Sequence, residues 1–167
     1  VTELAHAPHP DIVPRDAVFP ADRLTGLDTA LVLFAAAWYG KQDAIFVADA
    51  GMHATCVDLD QEKLDRMCDL YPAGWEFTTA DAFAYTSAWR TAGRRWDAVT
   101  VDCPSNLFDR CAELLPRWCA LSRRLVVLGC GHRTTIEAPD GWVMVDRIRR
   151  SSFRGGVDWA VLERQWT

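Results

Sequence analysis

The sequence predicts an α/β fold with one doubly wound, mainly parallel sheet that ends in an antiparallel hairpin. From about residue 28, short apolar runs alternate with amphipathic stretches, a pattern typical of parallel strands joined by right-handed helical crossovers. The last two apolar runs are separated only by a short segment with two glycines, which indicates a hairpin. A chain of 167 residues suits one domain, which we expect at 23–167, after an extended arm at 1–22 that holds four of the eight prolines.

The first parallel strand is predicted from a continuous apolar run at 30–34, because such runs suit burial on both faces. The other parallel strands are expected at 54–58, 75–79, 96–102 and 124–128, and the hairpin strands at 142–149 and 158–165. Helices are expected at 40–50, 61–71, 83–92 and 107–121. In the second of these, Leu64, Met67, Cys68 and Tyr71 repeat at helical spacing.

Composition excludes several classes of protein. No apolar run approaches the length of a membrane span, and no signal-peptide pattern opens the chain, so we expect a cytoplasmic protein with no membrane contact. The six cysteines form no CxxC pair, which predicts reduced, mostly buried thiols and no metal site. The net charge of −5 argues against broad nonspecific nucleic-acid binding. The excess of acid lies before residue 76, however, so a basic patch remains open in the second half.

Acidic residues stand where predicted strands end. In an open α/β sheet the ligand lies beyond the carboxyl ends of the strands, where the strand order reverses. Asp58 ends the second strand, where a carboxylate can accept hydrogen bonds from both hydroxyls of a ribose; Asp60 is the second choice for this role. The alternative is that both aspartates cap the helix that starts at Gln61.

With these residues in place, residues 28 to 165 resemble the class I S-adenosylmethionine-dependent methyltransferase family, in which five alternating units precede a terminal hairpin. The likeness places the first strand and its loop at 30–40 and the end of the second strand at 55–60. It implies that S-adenosylmethionine is the cofactor and that Asp58 binds its ribose. Loop residues Ala35, Ala36 and Gly40 would contact the same molecule.

The resemblance also implies a role for the end of the third strand. There Asp81 would accept a hydrogen bond from the adenine amino group, the backbone of Ala82 would complete the contact, and the ring of Phe83 would pack on the base. The alternative is again a helix cap, provided by Asp81.

The end of the fourth strand, Asp102-Cys103-Pro104-Ser105-Asn106, is similar to the Asp/Asn-Pro-Pro-aromatic motif of base and amine methyltransferases. By this likeness Asp102 and Pro104 are the candidate catalytic residues and face the methyl acceptor. The second proline and the aromatic residue are missing. The alternative is a tight turn in which Ser105 or Asn106 caps the next helix.

The first loop departs most from the family pattern of an acid followed by Gly-x-Gly-x-Gly. Val32 stands in place of the acid, and alanines, Trp38 and Tyr39 precede the lone Gly40. Two functions therefore stay open. One is methyl transfer to a nitrogen or oxygen nucleophile of a nucleic acid or small molecule. The other is a noncatalytic binding or structural role on a degenerate scaffold.

Two further features lie near the last hairpin. A basic cluster suits either contacts to RNA or DNA phosphates or a solvated edge strand, and consists of Arg147, Arg149, Arg150 and Arg154. His132 follows Gly129-Cys130-Gly131 at a strand end and is either a base in the site or a surface histidine. A nucleophile elbow and a phosphate-binding Walker loop are both missing from the sequence, which argues against a hydrolase or a nucleoside triphosphatase.

Overall fold

A computed structural model describes residues 19–35, 42–150 and 157–166. The strands are β1 (Thr29–Leu33), β2 (His53–Asp58), β3 (Glu76–Thr79), β4 (Trp96–Val101), β5 (Ser122–Gly131), β6 (Trp142–Arg150) and β7 (Val157–Arg164). The helices are α1 (Gln42–Asp49), α2 (Gln61–Leu70), α3 (Ala82–Ala92), α4 (Phe108–Glu113) and α5 (Leu115–Leu121), and short 3-10 turns cover Ala21–Leu24 and Ser105–Leu107.

All seven strands form one sheet in the order β3-β2-β1-β4-β5-β7-β6. The first five strands are parallel, and β7 lies antiparallel between β5 and β6. The predicted fold class is therefore confirmed. The strand order reverses between β1 and β4, so the carboxyl ends of these two strands mark the crevice where a ligand is expected.

Helices cover both faces of the sheet, and each face has its own buried core. Val47 of α1 and Leu64 of α2 pack on one face, together with Trp159. The other face is covered by α3, α4 and α5, with Trp118 at its centre. Among the described residues, no helix has the length and apolar character needed to span a membrane.

The start of the described chain is packed on the domain. The ring of Phe19 stacks on Phe46 at 5.0 Å and meets the edge of Trp159 at 5.2 Å. Most of the predicted N-terminal arm, residues 1 to 18, lies outside the described residues.

The single helix predicted over 107–121 is wrong, because the structure has a 3-10 turn followed by α4 and α5. The break falls at Leu114, whose backbone has φ −89° and ψ 8°. Pro116 explains it, since this residue has no N–H to continue the helical ladder but fits the first turn of a new helix.

The predicted fifth strand is too short. Gly129, Cys130 and Gly131 were expected to close the strand, but they continue it, opposite Trp159, Asp158 and Val157 of β7. The antiparallel strand β7 supplies hydrogen bonds to this extension. The glycines in the sequence suggested instead that the strand ends there.

The cysteines agree with the sequence prediction, since all six are free thiols and only Cys68 is exposed. Burial raises the pKa of Cys119 to about 12 and that of Cys130 to about 11, so both thiols stay protonated at neutral pH. No group of three potential metal ligands occurs among the described residues.

Candidate functional site at the carboxyl edge of the sheet

The strand register places the predicted acidic residues at one edge of the sheet. Leu33 of β1 pairs with Val57 on one side and with Val101 on the other. Asp58 and Asp102 directly follow Val57 and Val101, so these two carboxylates lie at the carboxyl edge on either side of the end of β1. Neighbouring strands are about 4.8 Å apart, so the backbones at Asp58 and Asp102 are separated by about 10 Å, with β1 between them.

Asp58 and Asp60 have different structural roles. Asp60 caps α2 by accepting a hydrogen bond from the Lys63 backbone N–H at 3.1 Å, and its carboxylate pairs with the Lys63 ammonium at 3.0 Å. The hydrogen bond from Lys63 lowers the pKa of Asp60. Asp58 is half-buried at the strand end and accepts a hydrogen bond from the Asp60 backbone N–H at 3.0 Å. The helix-cap alternative thus applies to Asp60 and not to Asp58.

Asp81 does act as a cap. Its Oδ1 accepts a hydrogen bond from the Ala84 backbone N–H at 2.8 Å, at the start of α3. The side chain is nevertheless exposed at the same edge as Asp58, while Ala82 is buried. One oxygen in the cap is compatible with a ligand contact through the other, because an ionised carboxylate offers several acceptor sites.

The chain leaves β1 through a left-handed backbone conformation at Phe34, where φ is 59°. This is a conformation that favours glycine. The half-buried Phe34 ring meets the edge of Phe83 at 5.8 Å. Ala35 is buried, and its N–H donates to the Val57 carbonyl at 3.2 Å. Predicted loop residues Ala36 and Gly40 lie outside the described residues.

Phe83 belongs to an aromatic group on one wall of this edge. Its ring lies 6.3 Å from that of Trp118, and the Arg110 guanidinium lies 4.1 Å above it. Arg117 donates to the Phe83 carbonyl at 3.0 Å. Contacts from α4 and α5 thus fix the position of the ring that the sequence predicted beside a base.

Asp102 and Pro104 lie at the end of β4. Asp102 is buried, and a Cβ atom on Gly129 of β5 would stand only 3.2 Å from its Oδ1. Pro104 is exposed, and its carbonyl accepts from Leu107 at 2.9 Å to form the 3-10 turn. The tight-turn alternative therefore describes the backbone, but Leu107 occupies the cap position of α4 and no side chain caps that helix.

Sequence reasoning missed two residues near this edge. Leu59, directly after Asp58, is an exposed apolar residue with 70% of its surface accessible. Asp43, in the first turn of α1, is fully buried and accepts hydrogen bonds from the Thr100 hydroxyl and the Ala44 N–H, both at 2.9 Å. The sequence did contain a signal for Leu59, because it is an apolar residue between two aspartates. Asp43 gave none, since its partner Thr100 is 57 residues away.

The last hairpin adds a polar cluster at the same edge. Asp158 is almost fully buried, and its Oδ2 accepts from Arg147 Nε at 2.9 Å and contacts His132 Nδ1 at 3.1 Å. Arg147 also donates to the carbonyls of Gly131 and His132, at 2.9 and 3.0 Å. Arg149 is exposed on the edge strand, whereas the side chain of Arg150 and all of Arg154 lie outside the described residues.

Comparison with solved structures agrees with the fold. An O-methyltransferase from Bacillus cereus in complex with S-adenosylhomocysteine superposes with a TM-score of 0.66 at 11% identity, over 92% of this chain and 84% of that one. TrmN from Thermus thermophilus gives a TM-score of 0.63 at 17% identity, over 86% of this chain and 48% of its own. A candidate S-adenosylmethionine-dependent methyltransferase from Streptococcus mutans gives 0.66 at 15% identity, over 86% and 46%.

The fold is that of the class I S-adenosylmethionine-dependent methyltransferases. The chain spans about half the length of the Thermus and Streptococcus proteins. Neither a protein-family model nor a curated protein matches the sequence. The likeness to class I methyltransferases is therefore one of fold.

Proposed function

We propose that the chain binds S-adenosylmethionine at the carboxyl edge of the sheet and transfers its methyl group to a nitrogen or oxygen nucleophile. The observation that carries the proposal is the position of Asp58 and Asp102 on either side of the end of β1, at the point where strand order reverses. Two carboxylates flank the end of β1, on either side of the expected crevice.

The adenosine part of the cofactor fits residues on the β2 and β3 side. Asp58 would accept hydrogen bonds from the ribose hydroxyls, and the exposed Leu59 would cover an apolar face of the nucleoside. Asp81 and the Ala82 backbone would bind the adenine edge, with Phe83 against its ring. The buried Ala35 would allow the backbone of the first loop to come close, and Ala36 and Gly40 would continue that contact.

The acceptor would bind on the β4 and β5 side, next to Asp102 and Pro104. S-adenosylmethionine supplies an electrophilic methyl group, so the chain has mainly to orient the nucleophile and exclude water. The aromatic and aliphatic side chains of this edge would exclude the water. For an RNA or DNA acceptor, Arg149 on the exposed edge strand would contact phosphates, with Arg150 and Arg154; Arg147 is already engaged by Asp158.

A noncatalytic role on the same scaffold is the second candidate. It is favoured by the first strand, where Val32 is fully buried and offers no carboxylate for the amino group of methionine. The Phe34 ring also occupies space where a glycine would leave room. On this hypothesis the edge of the sheet binds a partner without chemistry.

The reaction is tested by measuring S-adenosylhomocysteine formation with a panel of RNA, amines and phenols. We expect product with at least one class, and a lower rate for Asp102→Asn, which keeps the volume of the buried side chain. Asp140→Asn, in an exposed turn, serves as the matched control. Cofactor binding without product from any class would favour the noncatalytic candidate.

A further inference from the structure

His132 lies at the end of β5, and the sequence alone did not decide whether it is a base in the site or a surface histidine. It follows β5 directly, three residues beyond Gly129, where a Cβ atom would lie 3.2 Å from Asp102 Oδ1. Strands rise about 3.3 Å per residue, so the backbone of His132 lies about 10 Å further out than that of Asp102, over the acceptor side of the edge.

One side of the His132 ring contacts Asp158, and the rest of the side chain is largely exposed to solvent. Its side chain is 53% exposed, whereas the side chain of its partner Asp158 is 3% exposed. When the Asp158 carboxylate is ionised it only accepts hydrogen bonds, so a neutral ring paired with it donates from Nδ1 and carries a lone pair on Nε2, on its opposite side. A buried carboxylate that fixes the tautomer of an exposed imidazole is the arrangement of a general base.

Arg147 makes this arrangement rigid. One guanidinium binds the carboxylate of Asp158 and the backbone carbonyls of both Gly131 and His132. It thus compensates the buried charge of Asp158 and fixes the backbone that carries the imidazole. The second oxygen of Asp158, Oδ1, is buried and has no hydrogen-bond partner among the described residues. Both contacts made by this carboxylate, to arginine and to histidine, therefore pass through Oδ2.

We propose that His132 is the proton acceptor of the methyl transfer, with Asp158 and Arg147 as positioning residues, and that the acceptor is a hydroxyl compound. The inference rests on the proposed function. The acceptor oxygen gains the methyl group and its proton passes to Nε2, while the electron pair of the broken carbon–sulfur bond stays on sulfur. A neutral amine needs no base to attack, whereas a hydroxyl oxygen gains nucleophilicity as its proton leaves.

The end of β4 supports a hydroxyl acceptor over an amine. Of the motif that holds a target amine, only Asp102 and Pro104 are present, and Pro104 is exposed at the start of a 3-10 turn.

Two phenols of different acidity test the proposal. Phenol itself has a pKa of about 10 and keeps its proton at neutral pH. The more acidic 4-nitrophenol is ionised to a substantial extent at the same pH, and its ionised form needs no base. We expect His132→Ala to lower kcat/KM for phenol by about 100-fold or more, and that for 4-nitrophenol by much less. Added imidazole should restore part of the lost activity toward phenol.

The matched control is His53→Ala, because His53 starts β2 at the opposite edge of the sheet. It should leave both rates unchanged. A readout independent of activity is the imidazole NMR spectrum of His132, which should show the Nδ1–H tautomer in the parent protein and lose it in Asp158→Ala, which removes the acceptor oxygen.

The outcomes separate this inference from the proposed function. Equal losses for both phenols in His132→Ala, or an Nε2–H tautomer in the parent, would overturn the role of His132 as a base. Cofactor binding and transfer to amines, without transfer to either phenol, would overturn the hydroxyl acceptor while leaving methyl transfer intact. Absent cofactor binding would instead contradict the proposed function itself.

Discussion

Phe34 and Phe83 meet edge to face at 5.8 Å, although Phe34 holds the left-handed backbone conformation usually taken by glycine. The ring contact therefore helps to stabilise a backbone turn that costs a non-glycine residue about 1–2 kcal/mol. This pair joins the end of β1 to the start of α3. Phe34 follows β1 and Phe83 follows β3, and Asp58 ends β2, the strand between them.

The strain at Phe34 predicts that a glycine substitution there is more stable than an alanine substitution. Phe34→Ala and Phe34→Gly both remove the ring, but only glycine relieves the left-handed conformation. We expect Phe34→Gly to have the higher free energy of unfolding, by about 1 kcal/mol, in urea denaturation. An alanine variant as stable as the glycine variant would show that Phe34 is not strained. In helices and strands the usual ranking is the reverse.

Gly129 is predicted to be essential for the position of Asp102. A Cβ atom there would lie 3.2 Å from Asp102 Oδ1 and 3.3 Å from the Val101 carbonyl. Gly129→Ala should cost about 1–3 kcal/mol of stability in thermal or urea unfolding and lower methyl transfer as well.

Gly93→Ala is the control for this prediction. Gly93 ends α3 with φ 75°, far from the carboxyl edge, so its substitution should lower stability without changing the activity that remains in the folded protein. Equal effects of the two variants on activity would contradict a specific role for the contact between Gly129 and Asp102.

Asp81 allows its two roles to be separated. Asp81→Ala should cost about 0.5–2 kcal/mol, since the cap of α3 is lost. Serine can also accept from the Ala84 N–H, so Asp81→Ser should recover most of the stability but not the affinity for the adenosine moiety. Calorimetry with S-adenosylhomocysteine measures the affinity, and thermal unfolding measures the cap. Unchanged affinity in the serine variant would show that Asp81 caps α3 but does not bind the adenosine moiety.

The pH dependence of stability is predicted to involve Asp97, at the opposite edge of the sheet. Burial acts to raise the pKa of this carboxyl, but hydrogen bonds from the Asp28 N–H, the Thr29 N–H and the Thr29 hydroxyl outweigh it, so the pKa lies below its ordinary value. A lowered pKa in the folded state stabilises the protein above the unfolded value of about 3.9. That stability is lost as the pH falls through the folded pKa.

We therefore expect the free energy of unfolding to fall below about pH 4, and to fall less steeply in Asp97→Asn. Urea denaturation at a series of pH values measures this, with Asp140→Asn in an exposed turn as the control. The same slope in the parent and in Asp97→Asn would refute the assignment.

Much of the fold was predictable because the central strand β1 contains a continuous apolar run, Ala30 to Leu33, that is buried on both faces. The acidic residues at strand ends were predictable for the same reason, since polarity returns where burial stops. The break at Leu114 was missed because the apolar spacing continues through it, although Pro116 was a visible signal.

Contacts between distant residues were not predictable from spacing. His132 and Asp158 are separated by 26 residues and meet only because β7 lies beside β5. The left-handed turn at Phe34 was also hidden, because the sequence pattern suggested a strand through that residue. Both features lie at the candidate site, where local preference and tertiary structure disagree most.

The proposed cofactor site is tested most directly by calorimetric titration of S-adenosylmethionine into the parent protein and into Asp58→Ala. Asp69→Ala, on the exposed face of α2, is the control. We predict micromolar binding to the parent and to the control, and a loss of about 1–3 kcal/mol in Asp58→Ala. Because Asp58 also accepts from the Asp60 N–H, thermal unfolding should confirm that the variant is folded. No binding to the folded parent at millimolar S-adenosylmethionine would contradict the proposed cofactor site.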